Sequence, residues 1–397
     1  MIDAQVLPLA GQGGHSDLPR PRRLGLIVNP VAGIGGRVGL KGSNGAEIQQ
    51  RARELGAEPH AHDRAVEALE RLRPVGSLEI VAFPGEMGAD AVRASDLEPT
   101  VIGEIEKGAT TAADTRRAAR QMCELGVDLL LFAGGDGTAR DVYEAIGLEL
   151  PVLGIPAGVK IHSAAYATHP RSAGELAALY LQGRVAGLRE AEVMDIDEEA
   201  FRQNRLSVRL YGYLKIPFRT NLVQSQKIPS AGEGASLTAI AEDIVAKMED
   251  GFLYIIGPGT TTRTIVEEMG LEKTLLGVDV VLNHGPLARE LLARDANEAQ
   301  LLALLHEHGD GRAKIIVTPI GGQGYLFGRG NQQISPKVIE KVGRENIIVV
   351  STPDKLYALG TQPLLVDTGD RSVDEMLSGY LTVVTGYNER AVRKVSC

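Results

Sequence analysis

An aspartate set among glycines at the end of an apolar run is the part of this chain best suited to chemistry. In Leu129 to Thr138, LLLFAGGDGT, Asp136 stands among Gly134, Gly135 and Gly137, with Thr138 next in line. Its carboxylate can accept a proton from a substrate hydroxyl or help to hold a cation. The glycines admit backbone angles closed to other residues and let the main chain come close to a ligand. Thr138 and the neighbouring backbone N–H groups would then meet a phosphate at the start of the following helix. The plainer alternative is a glycine-rich turn in which Asp136 caps that helix.

Three further segments carry residues of the same kind. Asn29-Pro30 closes a short apolar run and leads into Val31 to Asn44, which holds Gly33, Gly35, Gly36, Gly39 and Gly42. A strand, a glycine-rich loop and a helix form the arrangement that cradles phosphates, although the spacing matches neither a P-loop nor the dinucleotide fingerprint. A flexible surface loop would use the same residues. GIPAGVKIHSA, Gly154 to Ala164, offers Gly158, Lys160 and His162 as substrate contacts, with no catalytic role for the histidine. GPGTTTR brings Gly257, Gly259, Thr260, Thr261, Thr262 and Arg263 to the start of a helix expected over Thr264 to Met269. That is a second anion-binding candidate, or simple N-capping by one threonine. Arg329, Asn331 and Gln332 sit in a glycine-bounded polar turn that suits ribose or base recognition as well as an ordinary turn. No residues are assigned to a metal.

The elements around these loops decide whether they can meet. Leu24 to Val28, Leu78 to Phe83, Thr100 to Gly103, Leu129 to Phe132 and Val152 to Ile155 read as strands, and helical stretches lie between them. Leu129 to Phe132 lacks polar alternation, as strands buried on both faces do. Thr111 and Asp114 form a capping box for the helix that precedes it. This alternation predicts a doubly wound parallel sheet with its ligand site beyond the carboxyl ends of the strands. The second half also alternates strand and helix signals, so the fold class is α/β with a second, mixed α/β domain. The expected domains are a mobile tail over residues 1–23, a nucleotide-binding domain over 24–165 and a substrate or closing domain over 166–397. Residues 225–236, rich in Gly, Pro and Ser, read as a mobile loop.

Composition narrows the function classes. A chain of 397 residues with 44% hydrophobic residues and 47 glycines is neither disordered nor a single small core. A net charge of −9 argues against a nucleic-acid partner, which requires a basic face. Small nucleotides need only a few cations, and Arg37, Lys41, Arg140, Lys160, Arg263 and Arg329 all fall in or beside glycine-rich segments. Two cysteines, Cys123 and Cys397, exclude a disulfide framework and fit a reducing cytoplasm. No apolar run approaches the roughly 20 residues that span a bilayer. Arg22-Arg23 before LGLIV imitates a twin-arginine signal, but the run ends at Asn29-Pro30 and reads better as a strand.

GGDGT at the end of a buried strand resembles the signature of the superfamily that joins NAD kinases, diacylglycerol kinases and sphingosine kinases. With VNPVAGIGG, GIPAGVKIHSA, VMDIDEEAF, GPGTTTR and GGQGYLFGRGNQQISP, the chain resembles the ATP-NAD kinase-like group that includes the acetoin-catabolism X proteins, from about Leu24 to the C-terminus. The resemblance implies a cytoplasmic, homo-oligomeric kinase that uses ATP and Mg²⁺ to phosphorylate the 2′-hydroxyl of NAD or NADH. Asp136 would orient or deprotonate that hydroxyl. Asn29, Gly33, Gly35, Gly36, Gly134, Gly135, Gly137 and Thr138 would hold phosphates, and GPGTTTR would close the site. NAD kinases usually carry an Asn-Asp or Asn-Glu pair that grips the NAD ribose, and the matching region here shows none; Asp195 and Asp197 are acidic, but no asparagine precedes either. Phosphorylation of another small-molecule or lipid hydroxyl therefore stays open, as does a sensor that binds NAD or ATP without turnover. A lipid acceptor is the weaker of these, because the chain has six phenylalanines, no tryptophan and no basic amphipathic helix.

Overall fold

The computed structural model describes residues 21–40, 46–159, 161–185, 187–196, 208–219, 222–223, 234–285, 288–309, 311–320 and 322–397. The expected tail up to residue 20, Lys160, Asp197 and most of the expected loop at 225–236 lie outside them. Five strands, β1 (Arg22–Val28), β2 (Leu78–Ala82), β3 (Pro99–Val101), β4 (Leu129–Gly134) and β5 (Val152–Pro156), form a parallel sheet in the order β3-β2-β1-β4-β5. Every residue of β4 and β5 is buried, as the unbroken apolar runs require. The twin arginines begin β1, and Leu24 pairs with Leu129 through to Val28 with Ala133. Strand order reverses between β1 and β4, and the crevice at such a point is where open α/β sheets take ligands. The loops after these two strands are the VNPVAGIGG and GGDGT loops.

Helices of small residues cover this sheet closely. The intervening helices are α1 (Ala46–Glu54), α2 (Ala61–Leu69), α3 (Ala89–Ala94), α4 (Ala112–Glu124), α5 (Asp136–Ile146) and α6 (Pro170–Leu181). The capping box of Thr111 and Asp114 opens α4. Ala61, Ala65, Ala68 and Leu69 are the buried face of α2. A Cβ on Gly174 of α6 would lie 2.0 Å from the Ala68 carbonyl oxygen, so α2 and α6 touch backbone to backbone. The antiparallel ribbon of β6 (Leu188–Ile196) and β7 (Val208–Pro217) adds Val193, Leu214 and Ile216 to the same core. That core runs on to Val223, because α6 and the ribbon bury their apolar faces on the first sheet.

The second half centres on a nine-stranded mixed sheet in the order β10-β9-β8-β11-β13-β15-β16-β14-β12. Its elements are α7 (Gly234–Ala246), β8 (Phe252–Ile256), α8 (Thr260–Glu268), β9 (Asp279–Asn283), β10 (Arg289–Ala293), α9 (Glu298–Glu307), β11 (Ala313–Val317) and β12 (Tyr325–Phe327). They continue with α10 (Pro336–Val342), β13 (Ile347–Val350), α11 (Pro353–Ala358), β14 (Leu364–Val366), α12 (Arg371–Leu377), β15 (Gly379–Gly386) and β16 (Glu389–Ser396). Alternate residues feed opposite faces, as a pleated strand dictates. Leu253, Ile255, Ile315 and Val317 enter one core, while Tyr254, Ile256 and Ile316 enter another on the reverse side.

One packing detail supports the site directly. Tyr166 is fully buried with its ring 5.3 Å from Phe132 in an edge-on contact, over the backbone of Gly154 in β5. A Cβ at residue 154 would stand 2.3 Å from that ring. Gly154→Ala should therefore destabilise the protein by about 1–3 kcal/mol through overpacking. Urea denaturation checks this, and an unchanged midpoint would show that Tyr166 can shift at no cost.

Candidate functional site

Three loops leave the carboxyl edge of the first sheet and meet with little side chain between them. Gly33, at φ +78°, lies so close to Ala157 that a Cβ would come 2.2 Å from its carbonyl oxygen. A Cβ on Gly158 would fall 2.6 Å from Gly135 Cα. The N–H groups of Ala157 and Gly158 both donate to Gly134 O, at 2.9 and 3.0 Å. Asn29 joins the first two loops: its side-chain amide donates to Thr138 Oγ1 at 2.9 Å, and its Oδ1 accepts from the Val31 N–H. The Tyr166 hydroxyl donates to Gly135 O at 2.5 Å. Burial pushes that phenol well above its ordinary pKa, and the charges of Asp136 and Asp195 add to the effect.

Asp136 lies at the centre of this junction, only 6% exposed. It does not cap its helix: Gly135 is the N-cap of α5, and Asp136 is the first helical residue. Its side chain turns instead to the GIPAGVKIHSA loop. Oδ2 accepts from the His162 backbone N–H at 2.7 Å and faces His162 Nδ1 at 3.2 Å. The ring bonds the carboxylate only when Nδ1 carries a proton. Oδ1 accepts from the Ser163 N–H at 3.0 Å and from its hydroxyl at 2.7 Å. The sequence offered His162 as a substrate contact, and the structure sets it against Asp136.

A cleft of about 300 Å³ opens beside this junction, between the first sheet's loops and the second half. Gly33, Gly36, Arg37, Ala157 and Gly158 line one side, His60 and Arg64 of the α2 region another, and Gly328, Arg329, Gln332 and Asp367 the third. Asp367 accepts from Arg64, and from Arg329 Nη2 at 2.7 Å. Burial alone would raise the Asp367 carboxyl, but the two guanidinium groups hold it well below the usual carboxylate range. Burial lowers the His60 imidazole, and Arg37 and Arg64 lower it further, so its neutral form is favoured. Two buried polar atoms in the wall of this cleft, Arg329 Nε and Gln332 Oε1, have no hydrogen-bond partner; Asn331 Oδ1, buried in the same turn, also lacks one.

Other expected residues go elsewhere. GPGTTTR does not line the cleft, and Gly257 lies behind one of its wall residues, Ile334. Helix α8 begins at Thr260 rather than Thr264, with Gly259 as its N-cap at φ +129°. The Thr262 hydroxyl turns back to Gly257 O at 2.7 Å, while Arg263 pairs with Glu267 at the surface. Arg140 pairs with Asp195 at 2.7 Å. The cations beside the glycine loops therefore do not act as one group, and of those described only Arg37 and Arg329 reach the cleft. An Asn-Glu pair from the second half, Asn297-Glu298, reaches the first loop. Asn297 caps α9, and the Glu298 N–H donates to Arg37 O at 3.1 Å. Asp367 and Arg64, in the cleft wall, are residues that their local sequence does not announce.

The described residues of the site do not suit a metal held by the protein. Among the described residues no cluster of three or more His, Cys, Asp or Glu could hold an ion. Mg²⁺ takes open oxygen ligands in octahedral array. Asp136 is occupied by the His162–Ser163 segment, and Asp367 lies between two arginines. No helix among the described residues is long and apolar enough to cross a membrane.

The comparisons agree with this architecture. Residues 24–185 match the ATP-NAD kinase N-terminal domain, and residues 249–395 match the ATP-NAD kinase C-terminal domain. The chain belongs to the ATP-NAD kinase family. No curated protein matches it. Among solved structures, a candidate diacylglycerol kinase from Bacillus anthracis str. Sterne shares 15% identity at a TM-score of 0.22, over 47% of this chain and 45% of that one. A diacylglycerol kinase from the same organism shares 16% at 0.21, over 45% of this chain and 48% of the other. The chain thus spans about half the length of the structures it matches, and scores this low carry no argument.

Asp367 supplies a pH test. Its folded pKa lies below the ordinary 3.8, so the stability it contributes is present above that value and is lost as pH falls through it toward the folded pKa. Asp367→Asn leaves two buried guanidinium groups unpaired and should cost about 3–5 kcal/mol at neutral pH. Its unfolding free energy should also fall less steeply than wild type between pH 5 and pH 3, read by denaturant titration. Equal slopes would show that Asp367 is not the titrating group.

Proposed function

We propose that the protein transfers the γ-phosphoryl group of ATP to the 2′-hydroxyl of NAD or NADH, with Asp136 orienting or deprotonating that hydroxyl. The observation that carries this reading is one buried carboxylate at the meeting point of three glycine loops, at the topological switch of a parallel sheet. Phosphoryl transfer asks mainly for positioning and charge neutralisation. The cleft, which Asp136 itself does not line but whose Gly158 meets Gly135, supports the first demand with the backbone of Gly33, Gly36 and Gly158, and the second with Arg37 and Arg329. Unpartnered Arg329 Nε suits a phosphate oxygen, and Gln332 Oε1 suits a ribose hydroxyl or an exocyclic amine. Membership of the ATP-NAD kinase family supports NAD as the acceptor. We place the closing wall of the site in Gly328–Gln332 and Asp367 rather than in GPGTTTR.

One observation favours the rival reading, a protein that binds NAD or ATP without turnover. The Asp136 carboxylate already accepts from the His162 N–H, the Ser163 N–H and the Ser163 hydroxyl, with the His162 ring 3.2 Å away, so an acceptor hydroxyl must compete with these groups for it. The longest contact, to the His162 ring, is the cheapest to give up.

Asp136→Asn separates the two. It keeps the size of the side chain and removes its charge and basicity. The kinase reading expects kcat for NAD phosphorylation with Mg²⁺-ATP to fall by about 10²- to 10⁴-fold while nucleotide Kd holds. A mutant with wild-type turnover would remove Asp136 from the chemistry. A wild type that binds nucleotide yet forms neither ADP nor phosphorylated product would establish the sensor.

A further inference from the structure

We propose that Gln323 is a positioning residue for Asp136, acting through the single peptide unit that joins Ile161 to His162. The proposal rests on the reading that Asp136 acts on the acceptor hydroxyl. Gln323 is 5% exposed, and its side-chain amide donates to the Ile161 carbonyl oxygen at 3.0 Å. The N–H at the other end of that same peptide belongs to His162 and donates to Asp136 Oδ2 at 2.7 Å. A peptide is a rigid plane, so fixing its oxygen fixes the direction in which its N–H points. A hydrogen bond to the oxygen also polarises the N–H and strengthens the bond that it gives to the carboxylate.

The amide itself is held firmly. Gln323 sits in a tight turn closed by Ile320 N to Tyr325 O at 2.9 Å and by Gly324 N to Ile320 O at 2.8 Å. Gly322 and Gly324 supply the left-handed angles, at φ +76° and +79°. The next residue anchors the turn to the first half, where the Tyr325 hydroxyl donates to the Thr168 carbonyl oxygen. Gln332 and Gly330 grip the same loop at Val159 O. Among the described residues, Gln323 places a second-half side chain one planar unit from the carboxylate. The seating of the second half on the first is thereby transmitted to Asp136.

The test uses the full chain, with Gln323→Leu, Asp136→Asn and their double variant assayed for NAD phosphorylation by Mg²⁺-ATP across pH. Gln323→Leu should lower kcat about ten-fold with KM for ATP within about two-fold, since misplacement acts on the reacting geometry rather than on binding. The His162 N–H that remains is less polarised and less well aimed at the carboxylate, so the acid limb of kcat/KM should move to higher pH. In the Asp136→Asn background the same substitution should do nothing further. An equal fall in both backgrounds, or an acid limb that stays in place, would overturn the proposal. Gln323→Glu serves if the leucine variant does not fold: its activity relative to wild type should rise as pH falls and the protonated acid regains a donor, and a flat ratio counts against the relay. If Asp136→Asn turns over like wild type, it is the kinase reading of Asp136 that fails. The relay is then judged by thermal midpoints of the same four proteins, where non-additive shifts support it and additive shifts overturn it.

Discussion

The close approach of three backbones at the carboxyl edge of the first sheet is the constraint on which this structure depends. Gly33 meets Ala157, Gly135 meets Gly158, and no side chain fits at either contact. The approach brings a carboxylate that starts one helix within reach of two consecutive N–H groups on another loop, at 2.7 and 3.0 Å. Larger residues at those glycines would separate the loops, and Asp136 would be left buried without donors. A buried charge in that condition is far more costly than a strained turn.

The second half completes the junction as well as covering it. Arg329 neutralises Asp367 together with Arg64 from the first half, and Gln323, Gly330 and Gln332 hold carbonyls of the loop that grips Asp136. The two sheets have separate apolar cores, so each half folds around its own interior. What they share is polar and directional. Contacts of this kind set register and orientation more than they add stability, which suits a cleft that must keep a fixed shape.

Much of this was legible in the sequence, and the remainder was hidden for identifiable reasons. The strand, glycine loop and helix around Asp136 are signalled by adjacent residues, and so is the alternation that makes the sheet parallel. The partners of Asp136 are 26 and 27 residues away, those of Ile161 and Gln323 are 162 apart, and Arg64 and Asp367 are 303 apart. No periodicity links residues over such distances. Whether the hydroxyls of GPGTTTR face an anion or the backbone is likewise invisible in a string. The distinction lies in Thr262 turning back to Gly257 O, which only coordinates reveal.

Ser163 has a property that concerns protons rather than heavy atoms. Its hydroxyl is 2.7 Å from Asp136 Oδ1 and 2.9 Å from Met194 O, while the Met194 N–H donates to it at 3.0 Å. One hydrogen faces two acceptors, so the hydroxyl has two settings. In one the carboxylate has an extra donor; in the other a lone pair on Oδ1 is released. Rotation about a single C–O bond is enough to pass between them, with the backbone and every loop in place. The hydrogen-bonding pattern around Asp136 can thus change in a molecule whose heavy atoms stand still, a change visible to neutrons and silent in electron density.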